Sequence, residues 1–442
     1  MLTNPVLLSI IMMLVLCVLR CNVMLSILIS AMFAGIYGGI MPDGEAFSFI
    51  ASTMHTLSVF IEGMKGNLET ALSYILLGVI AAAISRTNLT AILINKISKF
   101  ITKNKFYFIV AIAIISCFSQ NLVPVHIAFI PILIPPLLAI MNKMKIDRRA
   151  VACALTFGLQ TPYISLPVGF GLLFFNLLQK EMANNGLTVA ISDIASVMWM
   201  AAIPMVVGLI LAIIVFRKPR DYQVIEEGMA RNLDDLKMGI KEWGALAGIV
   251  VAFIIQICFG SLPLGALLGI ITMIIFGGIK YKEMDKTFDQ GIHIMGFIAF
   301  VMLVAAGYGE ILRTTGGIPE LVNAVASVAG GKLGGAFLML VIGLLITIGI
   351  GTSFGTIPII TAIYYPLAIE LGFGTEAIIL LIGIAAAVGD AGSPASDSTL
   401  GPTSGLNFDG QHNHIYDTCI PTFVFFNIPL ILFGAIFAMF LG

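Results

Sequence analysis

The run from Ala377 to Val388 is apolar enough to be a membrane helix, yet where the helix should continue the chain reads Gly389-Asp390-Ala391-Gly392-Ser393-Pro394-Ala395-Ser396-Asp397-Ser398-Thr399. An aspartate at bilayer depth costs about 2.5–3.5 kcal/mol on insertion scales, so intramembrane acids persist where they line a cavity, bind an ion or carry a proton. Two of them among glycines and a proline demand a broken helix whose freed backbone faces protein or a polar cavity. That requirement presupposes a membrane, and composition supplies it: 59% of the 442 residues are hydrophobic and 11% are charged, far from the soluble average.

Apolar runs long enough to span occur near 5–19, 23–41, 69–85, 150–180 and 192–216, then near 244–259, 263–279, 295–312, 376–403 and 418–441. The first run, with no basic segment before it and no small-residue cleavage site after it, reads as an uncleaved helix. The stretch 105–141 is too long for one span and is interrupted at Ser119-Gln120-Asn121-Leu122-Val123-Pro124, which predicts a re-entrant hairpin. A second hairpin is expected over 335–371, with its tip at Thr352-Ser353-Phe354-Gly355-Thr356. Segments 45–64, 88–100 and 281–292 mix apolar and polar residues at helical spacing, as interfacial helices do.

The two halves repeat one plan. Ile84-Ser85-Arg86-Thr87 matches Ile311-Leu312-Arg313-Thr314, and Thr161-Pro162 matches Ser393-Pro394, at offsets of about 227 and 232 residues. Five spans per half is odd, so the second half enters the membrane inverted. Basic residues agree with that topology: of 23, only Lys65, Lys180, Arg313 and Lys332 fall on the side opposite the central loop. The positive-inside rule then puts the loop in the cytoplasm and both termini outside. The expected architecture is an all-α polytopic membrane protein of two inverted repeats, 1–216 and 244–442, joined by a cytoplasmic linker at 217–243. Each repeat has about five transmembrane helices and one re-entrant hairpin, with broken helices at the midplane.

Such breaks converge on one site, where half-helix ends offer carbonyls to cations and N–H groups to anions. The candidate ion- or substrate-binding residues are Ser119, Gln120 and Asn121 at the first tip, and Thr352, Ser353 and Thr356 at the second. Gln160 and Thr161, in the run Gln160-Thr161-Pro162-Tyr163-Ile164-Ser165, mark the first broken span, and Asp390, Ser393, Ser396, Asp397 and Ser398 the second. Amides, hydroxyls and carbonyls suit a hard cation and the aspartates supply its countercharge. Asp397 could equally cap the second half-helix. His126 is a candidate proton carrier, and Glu310 with Arg313 reads as a helix-end ion pair.

Other chemistry is weighed and set aside. Gly351-Thr352-Ser353-Phe354-Gly355 fits G-x-S-x-G, but it follows a helix and has no assured histidine, so a hydrolase is disfavoured. His412-Asn413-His414 with Asp409 and Asp417 reads as a solvated loop and not a metal site. The six cysteines form no ligand spacing and read as packing thiols. No phosphate loop is present, no basic surface offers itself to nucleic acid, and no cofactor is called for beyond Na+ or H+ as the coupling ion. The partners are membrane lipid and a small solute or ion.

The run Gly389 to Ser398, continuing through Thr399-Leu400-Gly401-Pro402-Thr403, resembles the signature of NhaC-like Na+/H+ antiporter-family proteins of the ion transporter superfamily. It is also similar to the branch with histidine permease-like amino-acid transporters. The resemblance implies a cytoplasmic (inner) membrane secondary transporter, not an enzyme. It further implies inverted repeats, two re-entrant hairpins, a scaffold and a transport domain, and a homodimer with elevator-like movement. Na+/H+ exchange and Na+- or H+-coupled amino-acid uptake both fit it.

Overall fold

The computed structural model describes residues 3–19, 21–42, 47–89, 92, 104–121, 130, 134, 137–138, 140–223 and 237–442. Among them the regular structure is helical throughout. The molecule is built for lipid: on the helix Ile428–Leu441, Leu432, Ile436 and the 80%-exposed Phe440 face outward, while Thr418, Thr422 and Asn427 of the same span are buried. Large apolar groups outside and polar groups inside reverse the pattern of a soluble protein.

Most expected spans appear as helices, among them Pro5–Val18, Val23–Tyr37, Leu68–Ser85, Ile240–Phe259 and Leu262–Ile275. Asn4, Asn22 and Ser261 cap three of them by accepting N–H bonds from the first turn. The expected interfacial segment at 45–64 is the helix Phe49–Lys65. Most of 88–100 lies outside the described residues.

Four expectations change. The interfacial segment 281–292 and the span 295–312 are one 31-residue helix, Met284–Thr314, preceded by a 3-10 turn at Tyr281–Glu283. Nothing between Asp289 and Ile294 stops a helix, and Gly291 allows a close crossing: a Cβ there would sit 2.5 Å from Val79 N, and one on Gly78 would sit 2.4 Å from Gly291 O. A further helix, Ile318–Val328, was not anticipated. The helix Lys105–Asn121 runs through Ser119, Gln120 and Asn121, so the interruption expected there begins no earlier than 122. The broken span near 150–180 bends at 166–169 and not at Gln160-Thr161-Pro162.

That last shift has a simple cause. Pro162 is carried inside the buried helix Arg148–Ser165, whereas Pro167 and Gly169, at φ 59°, follow the final Leu166 N–H to Pro162 O bond and turn the chain. The next helix, Phe170–Asn184, leaves at 45°. In the second half Thr375–Ala387 and Asp397–Leu406 are separated by nine residues, and Lys332–Ile350 and Ser353–Glu370 meet at Gly351-Thr352.

Helices from the first and second halves of the chain lie antiparallel. Arg86, at the end of Leu68–Ser85, reaches Glu283 at 3.4 Å and Gln290 at 3.3 Å near the start of Met284–Thr314. In the interrupted helices Arg148 lies against Leu406, Thr156 against Ser398 and Gln160 against Ala387.

Candidate functional site

The break at 388–396 is held open from outside. Gly389 and Gly392 have φ of 98° and 86°, which L side chains rarely adopt, and a Cβ on Gly392 would lie 2.5 Å from Phe423 Cβ. Asn427 clamps the two turns: its Oδ1 accepts from Gly389 N–H at 3.0 Å and its Nδ2 donates to Ala391 O at 2.6 Å. It ends the π-helical segment Phe423–Asn427, which together with a π turn at His414–Cys419 distorts the last span beside the break. Ser393 faces away from the cavity, donating to Ile348 O at 3.1 Å.

These constraints point Asp390 inward. Its carboxylate is 6% exposed and accepts three hydroxyl bonds: from Tyr163 at 2.5 Å and Ser398 at 3.0 Å on Oδ2, and from Ser396 at 2.5 Å on Oδ1. Among the described residues no cationic side chain pairs with it. The phenol spends its one proton on Asp390, so Ser353 donates to Tyr163 Oη at 2.9 Å. Ser353 thus faces a tyrosine and not a histidine, which leaves the G-x-S-x-G match without hydrolytic geometry. Asp397 opens the second half-helix, where its charge suits the helix dipole; the N-cap itself is Ser396, which accepts from Ser398 N–H.

A cavity of about 30 Å³ lies between these groups, lined by Tyr74, Tyr163, Phe170, Gly351, Thr352, Ser353, Phe354, Asp390, Asp397 and Ser398. One water needs about 10–15 Å³ on this scale, so there is room for an ion with a water but not for an organic solute. Phe354 forms its apolar wall, with ring centroids 5.4–5.5 Å from Tyr74, Tyr163 and Phe170. Tyr74 Oη is buried with no hydrogen-bond partner among the described residues, an open polar position beside two carboxylates.

The fold therefore gathers Asp390, Ser396, Asp397, Ser398, Thr352 and Ser353. Thr356 turns back to Thr352 O at 2.9 Å, and Gln160 donates to Ala387 O at 2.8 Å, tying the two interrupted helices together. Thr161 is buried and does not line the cavity. The side chains of Ser119, Gln120 and Asn121, and all of His126, lie outside the described residues. Tyr163, Tyr74 and Asn427 are not among the site residues that the sequence singles out. Asn427 carried a usable signal, as an amide inside the apolar run 418–441; the tyrosines did not, because aromatic residues are ordinary there.

The loop after Asp397–Leu406 differs from the expected solvated segment. Arg148 is fully buried and forms a two-pronged pair with Asp409 at 2.6 Å on each arm, donates to Leu406 O at 2.9 Å, and lies 4.3 Å from the Tyr222 ring. Burial pushes the Asp409 carboxyl up, but the Arg148 bonds and charge outweigh it and leave the group below its ordinary value. At the opposite end Arg313 pairs with Glu310 at 2.7 Å, as expected, and also lies 3.7 Å from the buried Glu181.

Comparison with known proteins agrees with this architecture. Residues 154–435 match a family model described as the Na+/H+ antiporter family, and residues 4–101 match another described as the Na+-H+ antiporter family. The putative amino acid transporter YuiF of Bacillus subtilis is 48% identical over 402 residues, covering 87% of this chain and 90% of that one. An uncharacterized membrane protein of Haemophilus influenzae is 45% identical over 406 residues, with the same coverage. Among solved structures, MtrF of Neisseria gonorrhoeae, described as one of a class of antimetabolite efflux pumps, superposes with a TM-score of 0.60 at 16% identity, over 99% of this chain and 96% of its own. The YdaH transporter of Alcanivorax borkumensis also gives 0.60, at 13% identity, over 98% and 97%. The fold is shared with these two membrane transporters. The chain belongs to the Na+/H+ antiporter family.

Proposed function

We propose that this protein is a cation-coupled secondary active transporter in which Asp390, with Asp397 beside it, binds Na+ or H+ as the site is exposed to alternate sides of the membrane. One observation carries the reading: a buried carboxylate with three hydroxyl partners and no cationic partner among the described residues, next to a cavity of ion size. The hydroxyls of Ser396, Ser398 and Ser353 can rotate to present oxygen lone pairs to Na+, or keep donating to the carboxylate when none is bound. Protonation of Asp390 would instead neutralise the site, so one carboxylate can alternate between the two ions. Moving one charge across 100 mV supplies about 2.3 kcal/mol, enough for roughly fifty-fold accumulation of a coupled solute.

In this reading 1–216 and 244–442 are inverted repeats joined by 217–243, which the antiparallel pairing of Leu68–Ser85 with Met284–Thr314 supports. The protein works as a homodimer in the cytoplasmic membrane with both termini outside. A second reading, Na+- or H+-coupled uptake of an amino acid, is favoured by the name of the Bacillus relative and by the aromatic wall beside Asp390, which suits an ammonium group. It requires the cavity to widen well beyond about 30 Å³.

Purified protein in proteoliposomes under imposed Na+ or pH gradients, with Na+-driven pH dissipation and a panel of labelled amino acids measured on the same vesicles, tests both. Uphill movement of either kind is the expected result. Flux that only ever runs downhill would make the protein a channel and end the proposal.

A further inference from the structure

A cavity of about 400 Å³, against about 30 Å³ at Asp390, lies where the helices Lys105–Asn121 and Ala202–Val215 both pack against Arg148–Ser165. That volume falls in the range of about 300–1,000 Å³ found for small-molecule sites. Its floor is Ile109, Ile146 and Ile213, all buried, and its lips are Phe106 and Ile214, each about half exposed. Lys105 opens one helix and Arg217 follows the end of the other by two residues, so both cations stand at helix ends. Ile109 and Ile213 are four residues further in on each side, about one helical turn or roughly 5.4 Å deeper. Charge at the rim and apolar surface one turn below it is the layering of a phospholipid.

The charges at the mouth do not cancel. Asp147 lines the cavity but is 4% exposed and already held by Arg149 at 2.6 Å, with Arg220 at 3.7 Å. Arg220 also pairs with Asp417 at 2.8 Å. Lys105 Nζ donates to Lys145 O at 3.1 Å, which leaves its charge unneutralised, and Arg217 is exposed and pairs with no acid among the described residues. Four cations, Lys105, Arg149, Arg217 and Arg220, thus face two carboxylates, Asp147 and Asp417. Two positive charges are left over beside an apolar groove.

We propose that this groove binds an anionic phospholipid, with its phosphate between Lys105 and Arg217 and one acyl chain along Ile109, Ile146 and Ile213. Basic pockets between membrane helices hold such headgroups, and both helix ends lie on the side that the proposed topology makes cytoplasmic. The isoleucine floor distinguishes the lipid from a free phosphate, which has no apolar part to bury. The surplus charge distinguishes it from a zwitterionic lipid, which brings its own cation. The groove adjoins the start of Arg148–Ser165, the helix that carries Tyr163 to the ion site, so a bound lipid braces the end of that helix opposite its bend. The site is independent of which solute or ion the protein moves.

The test uses delipidated full-length protein in neutral detergent, titrated with phosphatidylglycerol, phosphatidylcholine or glycerol 3-phosphate and read by native mass spectrometry. Phosphatidylglycerol should bind at least tenfold more tightly than phosphatidylcholine, with glycerol 3-phosphate weaker than either. At roughly fivefold per basic residue, Lys105→Gln with Arg217→Gln should weaken phosphatidylglycerol about 25-fold and leave phosphatidylcholine unchanged. Both positions are at the surface, and an unaltered elution volume checks the fold. In the wild-type protein, raising ionic strength from about 0.1 M to about 1 M shortens the Debye length from about 10 Å to about 3 Å and should erase most of the preference for phosphatidylglycerol. Equal binding of the two lipids, an unchanged preference in the double variant or at high salt, or glycerol 3-phosphate binding as tightly as the lipid would each overturn the proposal.

Discussion

The two interrupted helices of this protein began from similar sequence cues and solve different problems. Arg148–Ser165 and Phe170–Asn184 are parted by four residues, Leu166 to Gly169, that contain no acid and simply redirect the chain by 45°. Thr375–Ala387 and Asp397–Leu406 are parted by nine, with two positive-φ glycines, an aspartate, two serines and a clamp from Asn427. The short interruption keeps its helical ladder almost whole, so its contribution to the site is a side chain on an intact turn, Tyr163. The long one gives up its ladder and exposes hydroxyls and a carboxylate. One half thus places a tyrosine from an intact helix at the cavity, and the other places the carboxylate and the serine hydroxyls there.

The sharpest way to break that comparison is to remove the charge. Asp390→Asn should abolish coupled flux in proteoliposomes while monodispersity in detergent stays at the wild-type level; unchanged flux would return the ligand role to another residue. Next in size is the clamp that joins the start of the first interrupted helix to the end of the second. Asp409→Asn leaves the buried Arg148 charge without its partner and should cost about 3–5 kcal/mol, seen as a lower thermal midpoint. Because the folded Asp409 pKa lies below its ordinary value, the pair's contribution is complete above the unfolded pKa and is lost only as pH falls through the folded one. The wild-type midpoint should therefore fall only on acidification below the ordinary carboxylate range.

Smaller effects sharpen the division between the two halves. Asn427→Ala orphans Gly389 N–H and Ala391 O, so at about 1–3 kcal/mol per buried group it should lower both stability and ion affinity. Tyr163→Phe removes the bond to Asp390 and the acceptor for Ser353, and should weaken ion dependence by about 1.5–3 kcal/mol, roughly ten- to 150-fold in half-saturating Na+, with a smaller loss of thermal stability. Gln160→Ala, which loses one neutral bond to Ala387 O, should cost about 1 kcal/mol and leave Na+ dependence alone. If Gln160→Ala alters Na+ dependence as much as Tyr163→Phe, the first half contributes ligands after all.

The membrane character, the helical class, most spans and the break at Asp390 were legible in the chain because each rests on local physics. Twenty apolar residues cannot be left in water, and Gly-Asp-Ala-Gly-Ser-Pro cannot continue a helix. The position of the first break was not legible to the residue, since Pro162 and Pro167 look alike in sequence. Only the surroundings decide that one stays in a helix and the other ends it. The same holds for Asn427 and Tyr163, whose partners lie 38 and 227 positions away along the chain, and for His412, which composition assigned to solvent and packing buried beside Thr418. Sequence by itself set which residues must avoid lipid and where the backbone must break. Tertiary structure alone chose which of those polar groups meet around one cavity, because hydrogen bonds between distant segments depend on how the helices cross and not on the order in which they are strung.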